Sequence, residues 1–452
     1  MKTFYDIHMH AMNLSHPNLS AYLFREDLIS GLIDDNINPL ARLYLLVASL
    51  ASKKFLKKTV NKMLTSGSPS PMDVVGNCLS FFEVPLEYQF LVLEHFLKAG
   101  TPKMVNEKKQ IEINGNRYEK MVLCPLVIDF GYKNIKKSIF YNLTPKRPVT
   151  NQVGDLLYAI RTYYRFNLEI KDKKMCLSEE IENFQERKRE KLFEIYPFMG
   201  LDTRNYTLKD IKKMLTKYFC NFNKNELGKT RRKRLFAKMG KLDSNMYRDD
   251  SEYADIFAGI KLYPQLGFDP YPNDKEEKKK VEYLYNFCSK RRIPIITHCS
   301  DAGFKVGNYD HLTSPEGKWK QALEEHKKLT LNFAHFGAEL KSKNREWRNA
   351  IIALTKQYPN VYTDISCNDT TPEYYKELDA LFHPQRNKKA KNMPSVPNPE
   401  LYKKILFGSD FSINLLASKV NSYNEYLKAF QVSKLSHKDY LCEFNPERFL
   451  FG

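Results

Sequence analysis

Short apolar runs and amphipathic segments alternate along the second half of the chain. The apolar runs lie at 257–264, 293–299, 329–335, 360–366 and 404–410, and the run at 293–299 is rich in β-branched residues. Continuous apolar character over so few residues is typical of strands that are buried on both faces of a parallel sheet. The intervening segments carry apolar residues at helical spacing and predict helices at 273–292, 317–328, 344–358, 372–382 and from about 421. Asn273 or Asp274 is a suitable cap for the first of these helices.

Three further apolar runs in the first half bring the number of predicted strands to eight. They cover 3–10, 121–130 and 191–200. Eight strands that alternate with helices predict an α/β fold of the (β/α)8 TIM barrel type. Such barrels reach the length of this chain, 452 residues, when they carry insertions. We therefore interpret residues 1–452 as a single barrel domain.

A long segment separates the first two predicted strands. It contains about 110 residues, whereas a connection in an α/β unit needs far fewer. Much of it has helical periodicity, for example at 40–64 and 79–98. We predict that residues 38–118 form a helical insertion, which covers the barrel mouth or makes a subdomain beside it.

The chain is strongly basic. It carries 72 Lys and Arg against 53 Asp and Glu, a net charge of +19, which favours acidic partners or anionic substrates in general. Basic residues are concentrated in a run at 228–241 and in a Pro-containing loop at 383–400. We interpret both segments as solvated or disordered, with contact to an anionic partner as the alternative.

The cysteines and the apolar segments bear on the cellular compartment. The eight cysteines are scattered without a Cys-x-x-Cys pair, which is typical of a reduced, intracellular protein. The most apolar helical run, at 40–51, is too short to span a bilayer and contains Arg42. No leader peptide is apparent at the start of the chain. We expect a cytoplasmic protein without a membrane partner.

Residues that bind metals fall at the ends of the predicted strands. His8 and His10 point to one face of the first strand, so two imidazoles can converge on one cation. Alone, this His-x-His pair is a weak signal. Three more residues end later strands, His298, His335 and Asp410, and Lys261 lies within the strand at 257–264. A barrel builds its active site at these carboxyl ends.

The ordered set resembles the amidohydrolase superfamily, in the amidohydrolase-related branch also called amidohydrolase-2. The family pattern is matched by a His-x-His pair on strand one, a lysine on strand four, single histidines on strands five and six, and an aspartate on strand eight. Four shorter motifs also match: "PFMGLDTR" (197–204), "FAHFG" (333–337), "ILFGSDF" (405–411) and "NPERFLF" (445–451). The resemblance covers most of the chain outside the insertions.

The resemblance implies a divalent metal centre. Its ligands would be His8, His10, Lys261, His298, His335 and Asp410. Zinc is favoured by this donor set, with Mn, Fe or Ni as alternatives. The family includes sites with one ion and sites with two, and in the latter a carboxylated lysine, here Lys261, bridges the ions. The alternative for Lys261 is a barrel-interior ammonium paired with Asp410 or Asp6.

The implied activity is that of a metal-dependent hydrolase. A metal-activated hydroxide would attack a C–N or C–O bond of a small anionic molecule, with Asp410 as the base. In sites with one ion, His335 would polarise the substrate or activate water. Arg204 is a candidate clamp for a substrate carboxylate, with a surface ion pair as the alternative, and Tyr263 shares the parity of Lys261.

Other functions remain open at this stage. A non-oxidative decarboxylase would use the same metal site. A TatD-type metal-dependent nuclease fits the basic charge, but such enzymes carry a glutamate in the strand-four region, where this chain has Lys261. A partner-binding module on a retained barrel has no motif beyond charge. We therefore expect a small-molecule substrate rather than nucleic acid, and a homo-oligomer is compatible with the sequence.

Overall fold

The computed structural model of the protein describes residues 2–12, 84–130, 149–171, 174–181, 183, 190–219, 222, 225–239, 257–305, 307–339, 345–384, 397–416, 420 and 422–452. The strands in this part of the chain are β1 (Thr3–Met9), β2 (Ile111–Ile113), β3 (Asn116–Tyr118), β4 (Lys120–Pro125), β5 (Leu168–Lys171), β6 (Lys174–Leu177), β7 (Phe193–Ile195), β8 (Phe198–Gly200), β9 (Gly259–Leu262), β10 (Ile295–Thr297), β11 (Leu331–Phe333), β12 (Val361–Asp364) and β13 (Ile405–Leu406). The α-helices are α1 (Gln89–Ala99), α2 (Val149–Arg165), α3 (Leu208–Phe219), α4 (Lys229–Met239), α5 (Lys275–Arg291), α6 (Asp310–Thr313), α7 (Lys318–Glu325), α8 (Glu346–Gln357), α9 (Pro372–Phe382), α10 (Ile413–Leu416), α11 (Tyr423–Val432) and α12 (Asn445–Phe451).

Eight parallel strands close into a barrel, as the sequence predicts. Hydrogen bonds join β1, β4 and β7 in that order, and β8 to β13 in chain order. The short strands β7 and β8 are two parts of the third barrel strand, and a parallel bridge between Leu126 and Phe198 joins the two sheets. A second bridge, between Met9 and Phe411, joins the first strand to the last. The architecture is a (β/α)8 barrel.

The barrel strands are buried on both faces. Every residue of β1, β9 and β12 is buried, because side chains of one parity fill the barrel and those of the other pack beneath the helices. This double burial explains why the strands appear in the sequence as continuous apolar runs. The polar residues in these runs are therefore conspicuous, since a buried polar group costs free energy unless it has a partner.

The junction between the first and last strands is held by backbone hydrogen bonds. Ile7 N donates to Phe407 O at 3.1 Å, and His8 O accepts from Ser409 N and Asp410 N at 3.1 and 2.7 Å. Gly408 lies against the first strand so closely that a Cβ atom there would be 2.7 Å from His8 Cβ. The last strand can therefore reach His8 only with glycine at this position.

The helix starts follow the expected side-chain chemistry. Asp274 is the N-cap of α5, and its carboxylate accepts a hydrogen bond from Glu277 N at 2.8 Å. Thr371 and Ser422 cap α9 and α11 in the same way. Of the two cap candidates in the sequence, Asp274 is the one the structure uses.

The predicted insertion at 38–118 is only partly within the described residues. The helix predicted at 40–64 lies outside them, as does all of 13–83. The remainder contains α1 and an antiparallel hairpin of β2 and β3. Asn424 at the start of α11 donates to Phe96 O and Pro102 O at 2.6 and 2.8 Å, which ties α1 to the barrel. The described part of the insertion is therefore helical only in part, and the helix at 40–64 stays a prediction.

The basic run at 228–241 is not a solvated segment where the structure describes it. Its residues form α4, and Arg231 is fully buried. The Arg231 guanidinium donates to Arg292 O and Arg291 O at 2.8 and 3.0 Å, at the carboxyl end of α5. Arg232 donates to Glu194 Oε2 and to the hydroxyl groups of Tyr5 and Thr3. The interpretation of this run as solvated was wrong for these two arginines. Their guanidinium groups donate to backbone carbonyls and to Glu194 instead of facing water.

Three other expectations concern surface and compartment. Residues 385–396 of the Pro-containing loop lie outside the described part of the chain. The described cysteines are free thiols: Cys124, Cys176, Cys288, Cys299, Cys367 and Cys442. Of the helices that the structure describes, none combines the length and apolar character needed to cross a bilayer.

We expect Arg231→Ala to destabilise the fold. The substitution leaves two backbone carbonyl groups without their charged donor and removes the guanidinium that lies 4.7 Å from the Phe222 ring centroid. The free energy of unfolding, measured by urea denaturation, should fall by about 2 kcal/mol or more. Lys233→Ala, an exposed change on the same helix, is the control and should leave the midpoint unchanged. Equal midpoints for both variants would contradict the structural role of Arg231.

Candidate metal centre

Two histidines of the first strand meet an aspartate of the last strand. His8 Nε2 and His10 Nε2 lie 3.2 and 3.1 Å from Asp410 Oδ1. All three side chains are almost completely buried. The three atoms belong to a group whose potential ligand atoms lie within 4.8 Å of one another. We call these three residues the His–His–Asp cluster.

The hydrogen bonds behind each imidazole determine which ring nitrogen faces the cluster as an acceptor. His10 Nδ1 lies 2.9 Å from Leu126 O, and since a carbonyl only accepts, this nitrogen carries the proton. His8 Nδ1 lies 3.0 Å from Asp364 Oδ2, which likewise accepts when ionised. In the neutral rings, both Nε2 atoms therefore present lone pairs towards Asp410.

A cation satisfies this arrangement of acceptors. His8 Nε2 is buried and makes no hydrogen bond to any described residue, although it lies close to Asp410 Oδ1. Three acceptor atoms that converge without a donor between them repel one another unless a positive charge lies among them. Two imidazoles and a carboxylate are a donor set that suits zinc and other divalent transition metals. The residues present thus fit a divalent ion.

The charges within the cluster are strongly coupled. Burial raises the pKa of Asp410, but the two imidazoles beside it lower that pKa by more, so it lies well below its ordinary value. Burial and the charge of Lys261 lower the pKa of His8. Asp364 and Asp410 raise this pKa by a larger amount, so the net shift is upward. Burial lowers the pKa of His10. The carboxylate is accordingly ionised at neutral pH and available to a cation.

Two site residues adopt left-handed backbone conformations. Asp410 has φ 60°, and His335 has φ 61° followed by Phe336 at φ 50°. These angles are uncommon outside glycine and cost free energy, so the surrounding structure must hold them. The backbone N–H of Asp410 donates to His8 O, and that of His335 donates to Asp364 Oδ1 at 3.0 Å. These two hydrogen bonds stabilise the left-handed conformations.

Lys261 lies in β9 and is buried. Burial lowers the pKa of Lys261 to about 8, even though the charges of Asp410 and Asp364 act in the opposite direction. No carboxylate among the described residues comes within 4.0 Å of its ammonium nitrogen, so the alternative pairing with Asp410 or Asp6 is not formed as a direct ion pair. The nitrogen lies 5.7 Å from the centre of the Tyr263 ring.

The two strand-end histidines His298 and His335 form a pair. His335 Nε2 lies 3.1 Å from His298 Nδ1, and His298 Nε2 lies 2.8 Å from Ala302 O. Tyr263 stacks on His298 with ring centres 4.3 Å apart. Burial lowers the pKa of His335 to about 4 and that of His298 also, so both rings are neutral at neutral pH. The structure places this pair beside His8, whose ring centre lies 4.9 Å from that of His335.

A second group of potential ligand atoms is less suited to an ion. It consists of His8, His335 and Asp364. The Ser366 hydroxyl already lies 2.9 Å from His8 Nδ1 and 3.0 Å from His335 Nδ1, and it donates to Asp364. A proton donor thus occupies the position that a cation would need. We assign this group to hydrogen bonding rather than to metal binding.

Arg204 is engaged away from these histidines. Its guanidinium donates to Asp202 Oδ1 and Oδ2 at 3.0 and 2.6 Å, and to Leu266 O at 2.6 Å. Arg204 thus forms an ion pair, but with the buried Asp202 rather than at the surface as in the alternative that the sequence left open. A role for Arg204 as a substrate clamp stays a prediction.

Sequence reasoning did not identify Asp364 and Ser366. Both lie at the carboxyl end of β12, in "NVYTDIS" (360–366). His335 and Asp410 were selected because they lie at the carboxyl ends of barrel strands, and the same criterion applies to these two residues. A buried aspartate in an apolar run was the available signal.

A comparison with known protein families matches the second half of the chain. A barrel with a candidate metal centre at the carboxyl ends of its strands defines the class of protein. The sequence profile of the family described as "Amidohydrolase" matches residues 253–451. Over these residues, the resemblance that the motifs indicate is confirmed.

Several solved structures show distant similarity. One is Amidohydrolase 2 from Bifidobacterium longum subsp. infantis, at 14% identity and a TM-score of 0.27 over 43% of this chain and 62% of that one. The chain thus spans less than two thirds of that relative's length. Another is a probable 2-pyrone-4,6-dicarboxylic acid hydrolase from Acinetobacter baumannii with citric acid bound, at 13% identity and a TM-score of 0.35 over 74% of this chain and 84% of that one.

A third structure is 5-carboxyvanillate decarboxylase from Novosphingobium aromaticivorans complexed with manganese, at 9% identity and a TM-score of 0.35 over 100% of this chain and 96% of that one. These similarities are too distant to transfer residue roles from one chain to another. Among curated proteins, no sequence matches this chain.

We expect the double variant His8→Ala, His10→Ala to lose metal binding. It removes two of the three converging donor atoms, and a lone carboxylate does not retain a divalent transition metal. Zinc content after equilibration and dialysis, measured by plasma mass spectrometry, should fall from at least one ion per chain to background. His311→Ala with His326→Ala removes two histidines elsewhere and should retain the ion. Equal zinc content in both double variants would contradict the assignment.

Proposed function

We propose that the protein is a metal-dependent hydrolase that cleaves a C–N or C–O bond in a small anionic molecule. One observation carries the proposal: His8 Nε2, His10 Nε2 and Asp410 Oδ1 converge as buried acceptors at 3.1–3.2 Å. Zinc is the ion that we favour, with Mn, Fe or Ni as alternatives. The described part of the family match, which includes Lys261, His298, His335 and Asp410, supports the same class of chemistry.

The metal and the carboxylate divide the chemistry between them. A divalent cation, when bound, lowers the pKa of a water molecule from about 15.7 towards about 7 and polarises a carbonyl oxygen. Asp410 accepts the proton of the attacking water and then donates it to the leaving nitrogen or oxygen. Its Oδ1 atom faces the two imidazoles, and we assign the proton to Oδ2.

The two neutral histidines next to the cluster complete the site. His298 and His335 are proposed to supply further donor atoms or to polarise the substrate, since they lie at strand ends beside His8. Tyr263 packs flat on His298 and fixes the plane of that ring. Lys261 Nζ lies 5.7 Å from the centre of the same Tyr263 ring. We place the substrate on this side of the site.

The buried amine of Lys261 supports a site that takes negatively charged groups. It has no carboxylate partner within 4.0 Å among the described residues, so an anion near it restores charge balance. The anion is either a carboxylate of the substrate or a carbamate formed on the lysine itself. The first arrangement requires one metal ion, and the second bridges two.

The proposal is tested by a substrate screen. Zinc-loaded protein is incubated with small amides, esters and lactones that bear a carboxylate, and with matched compounds that lack it. Hydrolysis restricted to the carboxylate-bearing compounds is the expected outcome. Release of carbon dioxide without hydrolysis would instead identify a decarboxylase, and turnover that persists after complete metal removal would refute the proposal.

We expect Asp410→Asn to abolish turnover while part of the metal is retained. Asparagine keeps the size and one coordinating oxygen but does not accept a proton at neutral pH. The rate constant for turnover should fall by about 100- to 10,000-fold, the usual contribution of general base catalysis. The acidic limb of the pH–rate profile should also disappear. Near-normal turnover with an unchanged acidic limb would assign the proton transfer to another group, His335 in the first place.

Lys261→Ala distinguishes the two possible metal counts. If Lys261 carries a bridging carbamate, the variant binds one ion instead of two, loses most activity, and recovers part of it with short carboxylates. If Lys261 acts as an ammonium, the metal content stays at one ion per chain and the affinity for anionic substrates falls. Full activity with unchanged metal content and unchanged substrate affinity would exclude both roles.

A further inference from the structure

Asp364 collects five hydrogen bonds at the carboxyl end of β12. Its Oδ2 atom accepts from Asn332 Nδ2 at 2.6 Å and from His8 Nδ1 at 3.0 Å. Its Oδ1 atom accepts from the backbone nitrogens of His335 and Ser366, each at 3.0 Å, and from the Ser366 hydroxyl. One fully buried carboxylate therefore connects β1, β11 and β12.

The Ser366 hydroxyl extends this network to both imidazoles. It lies 2.9 Å from His8 Nδ1 and 3.0 Å from His335 Nδ1, and it donates to Asp364. Its own backbone carbonyl lies 3.1 Å from His335 Nδ1. The Nδ1 side of each ring thus faces acceptors supplied by two residues of one strand end.

We propose that Asp364 and Ser366 are positioning residues that hold the protons of His8 and His335 on Nδ1. This inference rests on the metal site proposed above. Held in this way, the Nε2 atom of His8 keeps its lone pair directed at Asp410. The tautomer of a metal-ligating imidazole is determined by the hydrogen bond at its other nitrogen. Asp364 also holds the left-handed backbone of His335 through its N–H.

A purely structural role would make different contacts. Asp6, which lies on β1 with His8 and is as buried as Asp364, shows what such a role looks like. It accepts from the backbone nitrogens of His8 and Ser409 and from the hydroxyl groups of Ser409 and Tyr423. None of these donors is an imidazole. Asp6 thus anchors the backbone, whereas Asp364 contacts the ring itself.

The geometry predicts how Asp364→Asn acts. Three donors converge on Oδ1, so the amide oxygen takes that position and the NH2 group replaces Oδ2. The NH2 group then faces His8 Nδ1, which becomes the acceptor, and the ring proton moves to Nε2. A protonated Nε2 is no longer a metal ligand. The substitution therefore removes the His8 donor atom without touching His8.

The test is zinc affinity together with the tautomer of His8. Affinity is measured by competition with a chelator, and the tautomer by 15N NMR of zinc-loaded protein with labelled histidine. Asp364→Asn should lower the affinity by about 10- to 100-fold, and the Nδ1–H signal of His8 should disappear. The matched control is Asp6→Asn, which removes an equally buried charge on β1. It should lower the melting temperature but keep that signal and most of the affinity.

Each outcome decides between the hypotheses. Unchanged affinity and an unchanged His8 signal in Asp364→Asn would overturn the positioning role, as would an equal loss in Asp6→Asn. A wild-type protein that does not bind zinc or any other divalent transition metal would instead refute the proposed function. If Asp364→Asn does not fold, Ser366→Ala provides the test, because it leaves the carboxylate in place. Wild-type affinity in Ser366→Ala would then overturn the inference.

Discussion

The closure of the barrel between its first and last strands is the constraint on which the candidate site depends. The carbonyl oxygen of His8 accepts the backbone nitrogens of Ser409 and Asp410, and Gly408 lets the two strands approach. Nearly the whole chain separates the residues that meet there. These hydrogen bonds bring the Asp410 carboxylate beside the two imidazoles of the first strand. A shift of the last strand by one residue would turn that carboxylate away from them.

The site concentrates buried charge that the surrounding barrel must balance. Three carboxylates lie around the His-x-His strand, and each has a different environment. Asp410 faces Nε2 atoms, Asp364 faces an Nδ1 atom, and Asp6 faces backbone and hydroxyl donors. These different environments correspond to three proposed roles. Asp410 can bind a cation, Asp364 orients an imidazole, and Asp6 anchors the backbone. Burial makes each of these hydrogen bonds costly to lose, which keeps the arrangement unique.

The large net positive charge of the chain does not by itself indicate a polyanion as the partner, because some of the basic side chains are used in packing. In α4 the charge of Arg231 satisfies carbonyl groups at the end of α5, and Arg232 satisfies Glu194. Such arginines stabilise helix packing and do not form a surface for a polyanion. Within the described part of the chain, Lys261 is a buried amine close to the proposed chemistry without a carboxylate partner, and this bears on anion binding.

Periodicity and strand-end position were sufficient to predict the eight strands and to select His8, His10 and Asp410, which the fold brings together. These features are local, since a doubly buried strand must be apolar and a polar residue at its carboxyl end stands out. The contacts of Arg231, the network of Asp364 and Ser366, and the ion pair of Arg204 were not predictable in this way. Each depends on which distant backbone or side chain lies opposite, and that is decided by the packing of the folded chain. The tautomers of the two imidazoles belong to the same category, because the acceptor behind each ring comes from a different strand.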